Sequence, residues 1–345
     1  MYQITSDNQV FTILDTVTAD EKKLLGFMSP MALNITKNST HLWVDGTWEI
    51  VDKTKFEQLW LIVARSDANK ISLPVAYFLL PNKVTSSYQV ALQCIKDLGV
   101  DKVEMFHCDF ELATIKAIKT VYPDVKIEGC DVHWKRALRE AQGRVGLLRY
   151  SEADITIQNW IRMIWSLSFI PIQDVIKVYT EYVLPKMPEI DEEEGEDEEA
   201  ADFTRAIEEF VNYFEATYLG KVNPRTGRRG KPRFKFEYWN HYDVLVNDSG
   251  EITNNKSEAF NCVMKITIPM APNILGILKA IKDEEALSNA KFSASLAGNV
   301  NLDRHPSRTK KYCERKEKLR DLLVQYSSLT LDKYMEALMT FFNYD

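Results

Sequence analysis

Length, composition and charge limit the classes of protein to which the chain can belong. Its 345 residues are 45% apolar and 27% charged, a composition that is typical of a globular protein and excludes a disordered or fibrous one. The formal net charge is −7, but the run at 189–202 holds ten of the 50 acids and no base, which leaves 40 acids against 43 bases elsewhere. The average charge therefore does not exclude a nucleic-acid partner.

The chain lacks the sequence signals of secretion and membrane insertion. Its longest apolar runs are far shorter than a bilayer span, and its N-terminus has no basic segment followed by an apolar one. The five cysteines are scattered without a C-x-x-C pair, as is typical of a reducing compartment. We expect a soluble, intracellular protein with no membrane partner.

Strand and helix patterns alternate after a leader at residues 1–40, which we interpret as the remnant of an N-terminal region. Strands are predicted from β-branched and aromatic enrichment, and helices from apolar residues at helical spacing between capping residues. The predicted strands lie at 41–51, 58–66, 72–81, 103–110 and 125–134, and the predicted helices at 85–99, 111–123 and 135–150.

The predicted order β-β-β-α-β-α-β indicates an α/β protein with a mixed sheet. A three-stranded antiparallel meander continued by α/β units is the pattern of the ribonuclease H-like fold, in which the first strand lies centrally beside the fourth. Asp45, at the centre of the first strand, and Asp109, at the end of the fourth, would then be neighbours. An aspartate in a buried strand must be paired, hydrogen-bonded or metal-bound, because burying an isolated charge is costly.

The pattern changes after residue 150 and indicates an all-helical insertion before the sheet domain is completed. The expected regions are a first part of the ribonuclease H-like core at 41–150, the helical insertion at 151–240, the last core helix at 241–272 and a helical C-terminal region at 273–345. Within the insertion we interpret the acidic run 189–202 as a disordered loop, and we assign Trp160 and Trp165 to the core.

Three acids fit the requirements of two-metal phosphoryl chemistry. That chemistry needs closely placed carboxylates, because the hard cations Mg²⁺ and Mn²⁺ prefer oxygen ligands. Asp45 and Asp109 supply two carboxylates, and Glu258, in the helix predicted from "TNNKSEAF", supplies a third. Glu251 is a nearby alternative for the third acid. Glu111 competes with Asp109, but its place in a helix suggests a surface role.

Both aspartates also have a structural alternative. Asp45 precedes Gly46 and would suit a turn or a strand edge. Asp109 would suit the N-cap of the helix predicted at 111–123, a position that Asp favours.

A series of sequence blocks resembles the catalytic domain of the Mutator-like element (MULE) transposases. The blocks, in order over about residues 40–270, are "VDGTW", "FEQLWLIVA", "PVAYFLLPNK", "YQVAL", "CDFELATIKAI", "VYPDVKIEGCDVHWKRAL", "GLLRY", "LSFIPIQDV" and "TNNKSEAFN". The resemblance implies a ribonuclease H-like fold and a DDE transposase, a polynucleotidyl transferase that cleaves and joins DNA strands. Full-length members usually carry an N-terminal DNA-binding region, so we expect a truncated or remnant chain.

The resemblance also implies roles for individual residues. The DDE triad falls on Asp45, Asp109 and Glu258, which would bind two divalent ions, Mg²⁺ or Mn²⁺, and catalyse the reaction. The family's C-x-x-H motif falls on Cys130 and His133, for which we expect a structural role or a role close to the DNA. Half of a zinc site is the alternative. The implied partners are transposon-end DNA, target DNA and further copies of the chain in a homodimer or higher assembly, and the implied location is the nucleus.

A basic strip at 221–235 is a candidate DNA-binding segment. It contains no acid, and aromatic residues at its end and just beyond it suggest bases stacking beside phosphate contacts. A solvated loop and a nuclear-import signal are the alternatives. The basic residues are Lys221, Arg225, Arg228, Arg229, Lys231, Arg233 and Lys235, and the aromatic residues are Phe234, Phe236, Tyr238 and Trp239.

Two other functions are compatible with the sequence. One is a domesticated, non-catalytic scaffold that binds DNA or protein, and the other is a ribonuclease H-like nuclease that cuts without strand transfer. The intact triad favours catalysis over the scaffold. Joined DNA products would separate the transposase from the nuclease.

Overall fold

The computed structural model describes residues 10–18, 21–66, 71–189, 197–248, 252–268, 272–298 and 306–342. The strands are β1 (Thr12–Val17), β2 (Lys23–Phe27), β3 (His41–Thr47), β4 (Gln58–Arg65), β5 (Ser72–Leu80), β6 (Met105–Cys108) and β7 (Lys126–Gly129). The helices are α1 (Pro30–Lys37), α2 (Thr85–Asp97), α3 (Leu112–Val121), α4 (Asp131–Arg144), α5 (Leu148–Ala153), α6 (Ile155–Ser166), α7 (Val175–Val178), α8 (Asp197–Phe214), α9 (Phe236–Trp239), α10 (Tyr242–Asp248), α11 (Asn255–Thr267), α12 (Ile274–Leu296), α13 (Pro306–Val324) and α14 (Leu331–Met339). Within these ranges no helix has the length and apolar content needed to cross a bilayer.

Two compact units divide the chain. The first comprises Met1–Cys130 and Thr253–Arg304, and the second comprises Asp131–Ile252 and His305–Asp345. The chain leaves the first unit after Cys130 and returns to it at Thr253. The region expected at 273–345 falls partly in each unit.

A mixed sheet of seven described strands forms the centre of the first unit. Its strand order is β1-β2-β5-β4-β3-β6-β7. Strands β3, β4 and β5 form the predicted antiparallel meander, β3 pairs in parallel with β6, and β6 pairs in parallel with β7. The first and fourth strands of the predicted pattern are therefore neighbours, as expected.

Helices cover both faces of this sheet, because β4 and β5 carry buried side chains at nearly every position and so present apolar residues to both faces. On one face, Trp43 of β3 belongs to the same buried core as Met264 of α11. On the other face, Trp60 of β4 makes an edge contact with Tyr88 of α2, with ring centroids 5.3 Å apart. Asp45 lies two residues after Trp43 in β3, so it is on the face that α11 covers.

The second unit is mainly helical over its described residues and has an aromatic core. Trp134 of α4 stacks on Trp239 of α9, with ring centroids 5.3 Å apart and planes 8° from parallel. Trp160 and Trp165 of α6 are buried, as predicted. The indole N–H of Trp160 donates a hydrogen bond of 3.0 Å to the carbonyl of Val183.

Part of the expected leader belongs to the sheet. β1 and β2 pair antiparallel, and β2 pairs antiparallel with β5. The sequence pattern does not predict these strands, because β1 is a half-exposed edge strand with mixed polarity and β2 is a short run with a glycine inside it.

Two predicted strands extend too far along the chain. The strand predicted at 41–51 ends at Thr47, which leaves Trp48 outside the sheet. The strand predicted at 125–134 ends at Gly129, and α4 begins at Asp131, so that His133 lies on a helix. Asp131 suits the first turn of a helix, where a negative charge is favourable, and this local preference outweighs the β-branched and aromatic residues around it.

The acidic run 189–202 is not a loop throughout. Its second part, from Asp197, forms the start of α8. Asp202 accepts a hydrogen bond of 2.7 Å from Arg205 one turn later and lies 3.6 Å from Arg149 of α5. Residues 190–196 lie outside the described residues.

Candidate active site

Asp45 lies within β3 and its side chain is half-buried. It is paired with Leu61 of β4 in the sheet, so the turn alternative is wrong. Oδ1 accepts a hydrogen bond of 2.7 Å from the backbone N–H of Gly46, and Oδ2 accepts one of 2.6 Å from Nδ2 of Asn261. The strand tolerates this carboxylate because hydrogen bonds replace part of its hydration.

The glycine after Asp45 is required by the other face of the sheet. A Cβ atom at Gly46 would collide with the side-chain carbonyl of Gln58. Gln58 in turn donates a hydrogen bond of 2.6 Å to the hydroxyl of Tyr88. Gly46 thus leaves room for a buried polar chain directly behind the candidate site.

Glu111 is the end of that polar chain. Its carboxylate accepts hydrogen bonds from the hydroxyl of Tyr88 at 2.9 Å and from the hydroxyl of Thr114 at 2.8 Å. Burial and the Glu111 carboxylate raise the pKa of Tyr88, so that the phenol stays protonated and remains a donor. The surface role expected for Glu111 is therefore wrong.

Asp109 follows β6 directly and does not cap the next helix. α3 begins at Leu112, and Glu111 occupies its N-cap position. Oδ1 of Asp109 accepts a hydrogen bond of 3.2 Å from Nδ2 of Asn254. Because β3 and β6 are parallel neighbours, Asp109 and Asp45 lie toward the same end of the sheet.

The start of α11 brings polar side chains to this end of the sheet. Asn254, Glu258 and Asn261 are spaced by four and three residues, which places them on one face of a helix. The fully buried Asn254 also donates a hydrogen bond of 3.1 Å to the carbonyl of Val44, next to Asp45. The same helix face therefore supplies one amide to each aspartate and carries Glu258 between the two amides.

Cys130 lies close to both Glu258 and Asp109. Its Sγ atom lies 3.9 Å from Oε1 of Glu258, within reach of a weak S–H donor, and accepts a hydrogen bond of 3.3 Å from the backbone N–H of Asn254. The Cys130 Sγ atom and a carboxylate oxygen of Asp109 are within 4.8 Å of each other. The structure thus gathers Asp45, Asp109 and Glu258 around one end of the sheet.

The other residues of the predicted motifs are placed as follows. His133 is half-buried in the first turn of α4, in the second unit. Glu251, the alternative third acid, lies outside the described residues. Asn261 was not assigned any role from the sequence, although the spacing of asparagines around Glu258 in "TNNKSEAFN" is a signal that would have found it.

The basic strip 221–235 begins as a hairpin loop in the second unit. Val222 and Arg229 form an isolated antiparallel bridge, and Gly220 has a φ of 83° where a Cβ would collide with the carbonyl of Gly230. Six of the seven basic side chains are exposed. Arg229 is half-buried, donates a hydrogen bond of 2.7 Å to the carbonyl of Gly220 and lies 3.3 Å from Glu215.

The stacking partners expected beside this strip are mostly buried. Trp239 is fully buried in the stack with Trp134, and Phe234 and Tyr238 are at most 9% exposed. Because a buried ring offers no face to a nucleic-acid base, the predicted stacking role is wrong for these three residues. Phe236 is half-buried.

The fold and this site define a mixed α/β protein with three carboxylates at one end of its sheet. Residues 41–136 match the family model of the MULE transposase domain. The family expected from the sequence is confirmed for this range, which contains Asp45, Asp109 and the Cys130–His133 pair.

The similarity of the chain to solved structures is low. Among solved structures, the chain is similar to the Drosophila P element transposase strand transfer complex, at 12% identity and a TM-score of 0.26, over 91% of this chain and 80% of that chain. No curated protein matches the chain.

Proposed function

We propose that the first unit is the catalytic domain of a MULE-type DDE transposase. It would hydrolyse a DNA phosphodiester bond and transfer the freed strand end to target DNA. The observation that carries the proposal is the contact of α11 and its N-cap residue with the two aspartates. Asn261 contacts Asp45 and the N-cap Asn254 contacts Asp109, with Glu258 between the two asparagines. The range 41–136 that matches the MULE transposase domain contains both aspartates, which supports the proposal.

The strand order supports a ribonuclease H-like assignment for part of the sheet. Strands β3, β4 and β5 form the meander, and β6 and β7 continue it in parallel on the other side of β3. In this assignment β1 and β2 are an extension beyond β5.

The three acids fit a pair of Mg²⁺ or Mn²⁺ ions. Carboxylate oxygens are the ligands that these ions prefer, and each carboxylate offers two oxygens to a metal. Bound ions would supply Lewis-acid stabilisation of the reacting phosphate and an activated water.

The chain's own residues would fix the geometry of that reaction. Asn261 and Asn254 hold the carboxylates of Asp45 and Asp109 in one orientation, and Cys130 lies against Glu258. Preorganised ligands avoid the cost of reorganisation during the reaction.

We assign DNA as the partner of this domain. The exposed lysines and arginines of the strip 221–235 would contact DNA phosphates, since their positive charges neutralise the phosphate charges. Strand transfer of an element requires both ends to be held together, so the proposal includes a homodimer or higher assembly acting in the nucleus.

The test is nicking and joining of labelled duplex DNA in Mg²⁺ or Mn²⁺. The purified chain would be compared with Asp45→Asn, Asp109→Asn and Glu258→Gln. Asp124→Asn, on the exposed turn after α3, is the control because it makes the same change outside the site. We expect activity to be lost in the three site variants and kept in the control.

Other outcomes would replace this function. Nicked but never joined DNA would indicate a nuclease. A chain that neither cuts DNA nor binds the metals would indicate a non-catalytic scaffold.

A further inference from the structure

An open cleft of about 640 Å³ lies in the first unit. Four lysines and one acid give its lining a formal charge of +3, in a chain whose net charge is −7. Lys55 is also 3.5 Å from Asp52, so part of that charge is balanced. The residues that matter are Lys22, Lys53, Lys55, Lys83, Trp48 and Glu57.

The cleft is at the carboxylate end of the sheet, which is the end that carries Asp45 and Asp109. Trp48 directly follows β3, Glu57 directly precedes β4, and Pro81 directly follows β5. Trp48 is three residues from Asp45, so their Cα atoms are at most about 11 Å apart. A DNA strand with a phosphate at the carboxylates would therefore reach the cleft with its neighbouring nucleotides.

Trp48 differs from every other tryptophan of the chain. It is 52% exposed, whereas each of the other six is at most 4% exposed. The Nζ atom of Lys53 lies 4.9 Å from the centroid of its ring. Because burial of an indole is favourable, an exposed one among lysines indicates a ligand with a flat face and negative charge.

We propose that this cleft binds an unpaired segment of DNA next to the bond that is cut. One base would stack on Trp48, and Lys53, Lys55 and Lys83 would contact the adjoining phosphates. The choice of DNA rests on the proposed function. An unpaired strand fits better than a duplex, because paired bases already stack on each other and offer no free face.

The test is a binding titration with a short oligothymidylate in EDTA, which prevents cleavage. The expected result is quenching of tryptophan fluorescence on binding. Trp48→Ala should abolish most of the quenching and weaken binding about tenfold, as expected for one lost stacking contact. Lys53→Glu should weaken binding and reduce the slope of log K against log salt by about 0.7 or more.

Matched variants separate the cleft from general charge and from catalysis. Lys116→Glu makes the same charge change at an exposed position of α3 and should bind as the unmutated chain does. Trp48→Phe keeps a flat ring and should recover part of the affinity. Asp109→Asn should bind the oligothymidylate at least as tightly as the unmutated chain, because it removes a negative charge, although it is expected to be inactive.

Two results would overturn the proposal. One is equal affinity of the unmutated chain and Trp48→Ala for the oligothymidylate, with circular dichroism showing both folded. The other is binding to duplex alone. Neither result bears on the nicking of duplex DNA. A cleft that does not bind unpaired DNA is therefore distinguishable from a catalytic domain that does not cut.

Discussion

The carboxylate end of the sheet and the basic strip 221–235 hold their charged groups in different ways. At the sheet, Asp45 and Asp109 each accept a hydrogen bond from an asparagine that is at most 5% exposed. In the strip, Arg229 has a carbonyl and a carboxylate partner, whereas the other six basic side chains are exposed.

This difference follows from what each region would have to do. Metal-dependent chemistry requires carboxylates fixed within a fraction of an ångström, which buried hydrogen bonds provide. Phosphate contact requires charge and reach, which exposed side chains provide without a fixed geometry. Substitutions in the two regions should therefore change different quantities.

The largest expected effect is on the stability of the second unit. Trp239→Ala removes a fully buried ring from the stack with Trp134 and should lower the free energy of unfolding by about 3–5 kcal/mol. Denaturant unfolding would measure it. Trp48→Ala removes the same ring from an exposed site and should cost less than about 1 kcal/mol. Equal losses in the two variants would contradict the assignment of Trp239 to the core.

Metal removal should distinguish the sheet end from the rest of the chain. Mn²⁺ at about a hundredfold excess over its dissociation constant should stabilise the unmutated chain by about 2.7 kcal/mol, and EDTA should reverse this. Asp109→Asn should abolish the stabilisation, whereas Asp124→Asn should keep it. Thermal unfolding with and without Mn²⁺ would measure the effect, and equal stabilisation of the two variants would remove Asp109 from the metal site.

Asn261 is a positioning residue, and its substitution should reduce metal-dependent nicking less than substitution of one of the three acids does. Asn261→Ala removes the hydrogen bond to Oδ2 of Asp45 and should raise the Mn²⁺ concentration for half-maximal nicking by about 10- to 100-fold. Asn255→Ala, at an exposed position of the same helix, is the matched control and should leave the metal requirement unchanged. A variant with lower stability but the normal metal requirement would show that Asn261 serves packing alone.

Local periodicity predicted much of the fold. The order of strands and helices from β3 to α4, and the placement of Asp45 and Asp109 at one end of the sheet, follow from short-range patterns and general rules of strand connection. The exposure of Trp48 and the burial of Trp239 do not follow from such patterns. Trp48 and Trp239 each lie within two residues of a glutamate in the sequence, yet one is exposed and the other is in the core.

The contacts at the site were the least predictable part. Asn254 and Asn261 are more than 140 residues from the aspartates that they contact along the chain. Their roles depend on how α11 packs on the sheet, which no local pattern specifies. The surface role expected for Glu111 is wrong for the same reason, since its partner Tyr88 is on another helix.

The smallest expected effects lie within the basic strip and compare two neighbouring arginines. Arg229→Ala removes the hydrogen bond to Gly220 and the ion pair with Glu215. The side chains of Arg229 and Glu215 are only 18% and 19% exposed, so the change should cost about 1–2 kcal/mol of stability.

Arg228→Ala alters an exposed side chain and should leave stability within about 0.5 kcal/mol, while reducing the salt slope of duplex DNA binding by about 0.9. Unfolding and binding measured on the same two preparations would separate anchoring from phosphate contact. If Arg228→Ala left the salt slope unchanged, exposure in this strip would reflect solvation and not contact with DNA.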